Sequence, residues 1–184
     1  MMVFAYIHAA ENIGVKKTTG YLAYLRTTDI PQFLMVFTLM TGAVIKALFK
    51  SVLLLLLYWL LFGVVGQIDL WLLFFAILLL SGVIWASLGL ISGLTIRTPV
   101  FSLHLLIGVI LPIIFISGML YPLAEYPQGM ESLLTILPPA LGFLAGRGIL
   151  GISAWDPVFV LGLAGWAVVT LLAAWIVMRT ERNR

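Results

Sequence analysis

Very few side chains in this sequence could do chemistry. His8 and His104 are its only histidines, it has no cysteine, and no aspartate or glutamate falls within its longest apolar runs. Catalysis inside a membrane needs a nucleophile with its base, a pair of inward carboxylates or a set of metal ligands, and this supply assembles none of them. Ser117-Gly118 lacks the flanking pattern of a nucleophile elbow. His104, five residues past Pro99, reads as a polar contact between helices. There is no G-x-x-x-x-G-K-S/T stretch, so the chain cannot itself cradle a nucleotide phosphate, and no metal or cofactor is expected on it. A proton-coupled carrier buries an ionisable group near the membrane midplane, and the expected spans offer none.

What the chain has instead is apolar length. Its 184 residues are 63% hydrophobic and 9% charged, with a mean hydropathy of +1.19. That leaves too little polar surface to coat a water-soluble globule. A helix of roughly 20 residues crosses about 30 Å of hydrocarbon, and residues 51–68, 70–96, 98–124 and 157–178 carry no Asp, Glu, Lys or Arg. The expected fold is all-α: one membrane domain over 1–184, with four full transmembrane helices at 44–66, 70–96, 99–120 and 157–178. The first would enter the membrane near Lys50, and Pro112 would kink the third. The uncharged stretch 132–146 is short for a span and contains Pro138-Pro139, so residues 121–152 are expected to form an external re-entrant hairpin.

Positive residues stay on the cytoplasmic side. In a four-span arrangement Lys16, Lys17, Arg26, Lys46, Lys50, Arg97, Arg179, Arg182 and Arg184 share one side, which places both termini in the cytoplasm. The other side receives Asp69, Glu125, Glu131 and Asp156, with Arg147 as its only cation. The net charge of +3 reflects this asymmetry and not a nucleic-acid partner, since no basic patch is interleaved with aromatics.

The connecting segments carry further patterns. MMVFAYIHAA is too short to span before Glu11 interrupts it, so it is either an interfacial anchor or the inner end of a span. Within the N-terminal segment 1–32, residues 16–30 place Tyr21, Leu22, Tyr24 and Leu25 on one arc of a helix and Lys16, Thr19, Arg26 and Thr27 on the other. This is the pattern of an amphipathic cytoplasmic helix that either anchors at the membrane surface or docks a cytoplasmic partner. Gly82, Ala86, Gly89 and Gly93 recur three or four residues apart, putting a small-residue face on the second span against some other helix. Trp71, Trp155 and Trp175 sit where membrane boundaries are expected.

One stretch has a more particular spacing: Phe115-x-Ser117-Gly118, Tyr121-Pro122-Leu123, Tyr126-Pro127, Leu137-Pro138, then Arg147-x-x-Leu150-Gly151. It resembles the C-terminal signature of the type-2 ABC exporter permeases, and the last span with its basic tail is similar as well. Gly20-x-Leu22-x-Tyr24-Leu25-x-Thr27-Thr28 is similar to that family's cytoplasmic coupling helix. Against the family the chain begins near the end of the second span. The resemblance implies a prokaryotic inner-membrane export permease without its own nucleotide site. Two copies would pair in the membrane, and a separate ATP-binding-cassette ATPase, which uses the ATP, would dock on Lys16, Lys17, Thr19, Arg26 and Thr27. Ser117, Gly118, Tyr121, Pro122, Glu125, Pro127, Pro138 and Arg147 would shape the hairpin. The substrate would be an amphipathic drug, lipid or lipid-linked glycan. The alternative expectation is a non-transporting or truncated membrane assembly protein.

Overall fold

The computed structural model describes residues 1–21, 24, 27–28, 30–62, 68–96, 104–127, 129–149 and 156–182. Every regular element among them is helical. The first helix, α1 (Met2–Thr18), buries Ala5, Tyr6, Ala9, Ala10, Ile13 and Gly14, a three-and-four spacing that makes one apolar face. It stops at Gly20, whose φ of +72° takes the left-handed conformation that closes helices and suits glycine. Helix α2 (Gln32–Phe62) starts just after Pro31, and α3 (Ile68–Thr95) is its neighbour. Next come α4 (Leu106–Met119), α5 (Met130–Thr135), α6 (Pro138–Ile149) and α7 (Pro157–Arg182).

Among the described residues three helices are long and apolar enough to cross a membrane: Phe33–Leu57 in α2, Trp71–Thr95 in α3 and Pro157–Thr180 in α7. The chain is therefore a helical, multi-pass membrane protein. The region expected to supply another span, 99–120, contributes the shorter apolar helix α4 among the described residues. Around Pro112, where a kink is expected, the backbone of α4 stays helical but widens, and its non-helical break falls at Ser117 and Gly118. Two π-helical turns, Leu106–Ile110 and Phe115–Met119, flank a short α turn that holds Pro112. Proline has no N–H to donate, and widened turns re-pair the carbonyls that lose a partner. The Leu111 N–H, next to the proline, reaches back five residues to the Leu106 carbonyl.

Helix α3 is the hub, and 50% of its span is buried, against 33% for α2 and 22% for α7. It runs parallel to α1 and antiparallel to α2. Ser87 Oγ of α3 donates to Met40 Sδ of α2 at 3.7 Å, Val44 lies beside Gly82, and Val52, Leu55 and Leu56 share a groove with Trp71 and Phe75. These three contacts fix the relative depth of the two helices.

Two expectations can be set beside this arrangement. The candidate span in α2 runs Phe33–Leu57, set against the expected 44–66, and Met35, Val36, Leu39, Met40 and Ala43 in its first half are buried in the bundle. Lys46 and Lys50 lie within this candidate span. The spans are thus not bare of ionisable groups. A lysine at the centre of a span costs about 2.5 to 3.5 kcal/mol on insertion-derived scales, so its retention calls for an explanation. The N-terminal ten residues are also not an interfacial anchor, since Ala5, Tyr6 and Ala9 are buried in the main core together with Ile84, Ala86 and Leu90 of α3.

Candidate functional site

The small-residue face of α3 meets α1. A Cβ placed on Gly89 would lie 2.3 Å from the Tyr6 carbonyl oxygen and 3.0 Å from Ala9 Cβ, and one on Gly93 would lie 2.9 Å from Ile13 Cβ. Ala86, one turn before Gly89, is fully buried, and Gly82 lies under the Met1 side chain. Backbones approach this closely only where both faces lack bulk. The matching signal on the other helix is Ala5, Ala9, Ala10 and Gly14, small residues that the sequence analysis did not single out.

The chain's polar inner end follows from the same contact. Lys16 and Lys17 do not begin a separate amphipathic helix; they form the last turn of α1, which continues because its apolar face stays engaged with α3 up to Ile13. Lys17 Nζ donates to the Leu94 carbonyl and, at 3.1 Å, to the Ile96 carbonyl, so it satisfies the free end of α3. Lys16 Nζ stands 5.1 Å from the Tyr21 ring centroid. The hydroxyls of Thr19 and Thr27 bond to the carbonyls of Val15 and Tyr24 at 3.0 and 2.8 Å. Tyr21 and Tyr24 are exposed, and Arg26, Leu22 and Leu25 lie outside the described residues.

At the opposite end the residues Ser117 to Arg147 build one packed unit. Helix α4 breaks at Gly118, whose φ of +95° sets its Cβ position 3.2 Å from Leu123 Cγ, while the Ser117 hydroxyl, fully buried, donates to the Ile113 carbonyl. Pro122 precedes a short 3-10 turn, Leu123–Glu125, and the rings of Tyr121 and Tyr126 meet edge to face at 5.4 Å. The side-chain hydrogen bond from Tyr121 to Glu125 raises the phenol's pKa above its ordinary value. Pro127 leads into the turn that ends at Gly129, with a φ of +92°, and α5 follows.

Pro138-Pro139 does not break a helix here but starts one. Proline is well placed in a first helical turn, where its missing N–H has no intrahelical partner to lose. Both prolines are buried, and α6 packs back against α3, α4 and α7. The Trp166 indole of α7 donates to the Ile136 carbonyl at 2.9 Å, pinning the turn between α5 and α6. At 12 residues α6 is about 18 Å long, too short to cross a bilayer.

Where α6 returns, it closes a cavity of about 460 Å³ that no sequence pattern disclosed. Met1, Met2, Val3 and Phe4 of α1 form one wall, Phe74, Ile77, Leu78 and Ser81 of α3 a second, Ile114 and Met119 of α4 a third, and Gly142, Phe143, Gly146 and Arg147 of α6 the last. The lining is apolar apart from Ser81 and the exposed Arg147. Such a site suits an apolar body that ends in a polar or anionic group. Among the described residues no group of His, Asp and Glu could hold a metal ion.

Comparison with protein families, with curated proteins and with solved structures finds no match for this chain.

Proposed function

We propose that the chain is the membrane subunit of an ATP-binding-cassette exporter of the type-2 permease class, moving an amphipathic substrate outward with energy from a separate ATPase. The observation that carries this reading is the unit from Ser117 to Arg147. The residues that bear the family resemblance are the ones that break α4, turn the chain and send α6 back to close the apolar cavity. Irregular backbone at membrane depth is tolerated where protein or a lined path covers it, and a short returning helix beside a cavity meets that condition. In this reading α4 together with residues 99–103 makes a fourth span, 121–152 is an external re-entrant hairpin, and both termini face the cytoplasm of a prokaryotic inner membrane. The cavity takes the substrate's apolar body and Arg147 its polar end. A second copy of the permease completes the path. The residues after α1, Thr19 to Thr28, form the docking arm for the ATPase.

Co-purification tests this. Solubilised from membranes in which both are made, the tagged chain should carry its cognate ATP-binding-cassette subunit through affinity and size-exclusion steps. A chain that emerges alone, folded and without the ATPase, would leave the non-transporting assembly protein as the better reading.

A further inference from the structure

Lys46 and Lys50 stand one turn apart on α2, both exposed, in the middle of a candidate membrane span. Because Val44 lies beside Gly82 and Met40 beside Ser87, Lys46 is level with about Ser81 of α3, roughly 3 Å by helical rise from the midpoint of Trp71–Thr95. Lys50 is nearer the outer end, yet its side chain does not reach outward. Its amino group lies 4.9 Å from the centroid of the Phe4 ring on α1. The ring offers a weakly attractive face but no countercharge. His8, one turn further along α1, has Lys50, Glu11 and Lys46 as its electrostatic neighbours, and its buried Nε2 has no hydrogen-bond partner.

A countercharge from protein is hard to find. Among the described residues neither lysine makes an ion pair with a carboxylate. Glu11, the only acid on α1, has its backbone near the level of Gly93, about 18 Å along the bundle from that of Lys46, and shares His8 as a neighbour with both lysines without pairing to either. A second copy related by an axis along the membrane normal keeps every residue at its own depth, so its Glu11 would not reach Lys46 either. The remaining acids, Asp29, Asp69, Glu125, Glu131, Asp156 and Glu181, stand at or between the ends of the long helices. An intramembrane cation left without a protein partner marks a ligand or ion path. A resident lipid keeps its phosphate at the bilayer surface, about 15 Å from this depth. The group that meets Lys46 is therefore one brought into the span.

We infer that Lys46 and Lys50, with His8 beside them, bind the phosphate headgroup of an amphipathic ligand at the seam between α1 and α2. The binding rests on the geometry alone; that the bound molecule is cargo rests on the permease reading above. Phe4 joins this seam to the cavity, since its ring lies under Lys50 and also lines the cavity wall. A ligand could thus place its head at the lysines and its apolar body within reach of the cavity.

The test uses the full chain in detergent, with dioctanoyl phosphatidic acid as probe, dioctanoyl phosphatidylcholine as the zwitterionic control and inorganic phosphate as competitor, read by native mass spectrometry. The unaltered protein should retain the phosphatidic acid at least about tenfold better than the choline lipid. Lys46→Met with Lys50→Met should bring the two lipids to parity, and Lys46→Arg with Lys50→Arg should keep the preference. Methionine replaces charge with an apolar chain in an apolar span, so the double variant should insert and fold, and an unchanged elution volume confirms it. Parity in the unaltered protein, or an undiminished preference in the methionine pair, overturns the site. Displacement of the lipid by equimolar inorganic phosphate overturns the lipid-borne assignment. Retention of the preference by a chain that fails to co-purify with an ATPase would preserve the site and refute its role in export.

Discussion

Gly89→Leu is expected to lower the melting temperature of the protein in detergent more than any other single change on the small-residue face. The position has no room for even a Cβ, because the nearest atom is the Tyr6 carbonyl oxygen at 2.3 Å, and it is backbone, not the tip of a flexible side chain. Leucine would push α1 off α3, with an overpacking cost of about 1 to 3 kcal/mol. The effect would spread, since α1 also covers Gly82 and Gly93 and sends Lys17 to the end of α3. Gly42→Ala is the control. A Cβ there meets nothing within 4 Å, and alanine favours a helix interior by about 1 kcal/mol over glycine, so the melting temperature should hold or rise. Equal melting of the two variants would show that α1 and α3 do not touch at Gly89.

The second large effect is expected at the inner end. Arg26→Glu should remove the ATPase from the purified complex while leaving insertion and melting unchanged. Arg26 falls on the polar arc of residues 16–30 by helical projection. Reversing one charge in a buried, paired position costs about 2 to 5 kcal/mol, or roughly 30-fold to several thousandfold in affinity. Tyr21→Asp should act differently, because Tyr21 is exposed on the apolar arc near the Tyr24 ring and under Lys16. Its loss should loosen the arm from the membrane and weaken the complex only in part. A surface anchor with no docking role predicts the reverse order, with Arg26→Glu silent.

How much of this was legible in the sequence differs from element to element. The long helices follow directly from uncharged apolar runs, as Trp71–Thr95 and Pro157–Thr180 show by falling almost where the runs do. In α2, a helix expected from about Phe33 to Phe62 and found over Gln32–Phe62, charge and packing point in opposite directions. Lys46 and Lys50 read as a cytoplasmic boundary, whereas the candidate span starts at Phe33 and Val36, Met40 and Ala43 are buried against other helices. A one-dimensional rule cannot weigh a contact with a helix that lies elsewhere in the chain. The proline pair interrupts the run 132–146 as expected, between α5 and α6, and its second effect, starting α6, has a related cause. Proline stops a helix that arrives from its N-terminal side and favours one that departs, and only the packing of α6 tells which case applies. The glycine face on α3 was legible as a contact surface, but its partner was not, because Ala5, Ala9 and Gly14 lie in a segment that seemed too short to span. The cavity has no sequence signal at all; it exists where four helices fail to meet.

The most direct measurement of the central claim is ATP-driven movement of an amphipath in proteoliposomes that contain the chain and its cognate ATPase. With the ATPase face exposed to the medium, a fluorescent phosphatidic acid in the outer leaflet should become inaccessible to a membrane-impermeant quencher at a rate that depends on ATP. Arg26→Glu should abolish that rate. Movement of the probe at the same rate with or without ATP, in vesicles shown to hold both subunits and to hydrolyse ATP, would contradict the account.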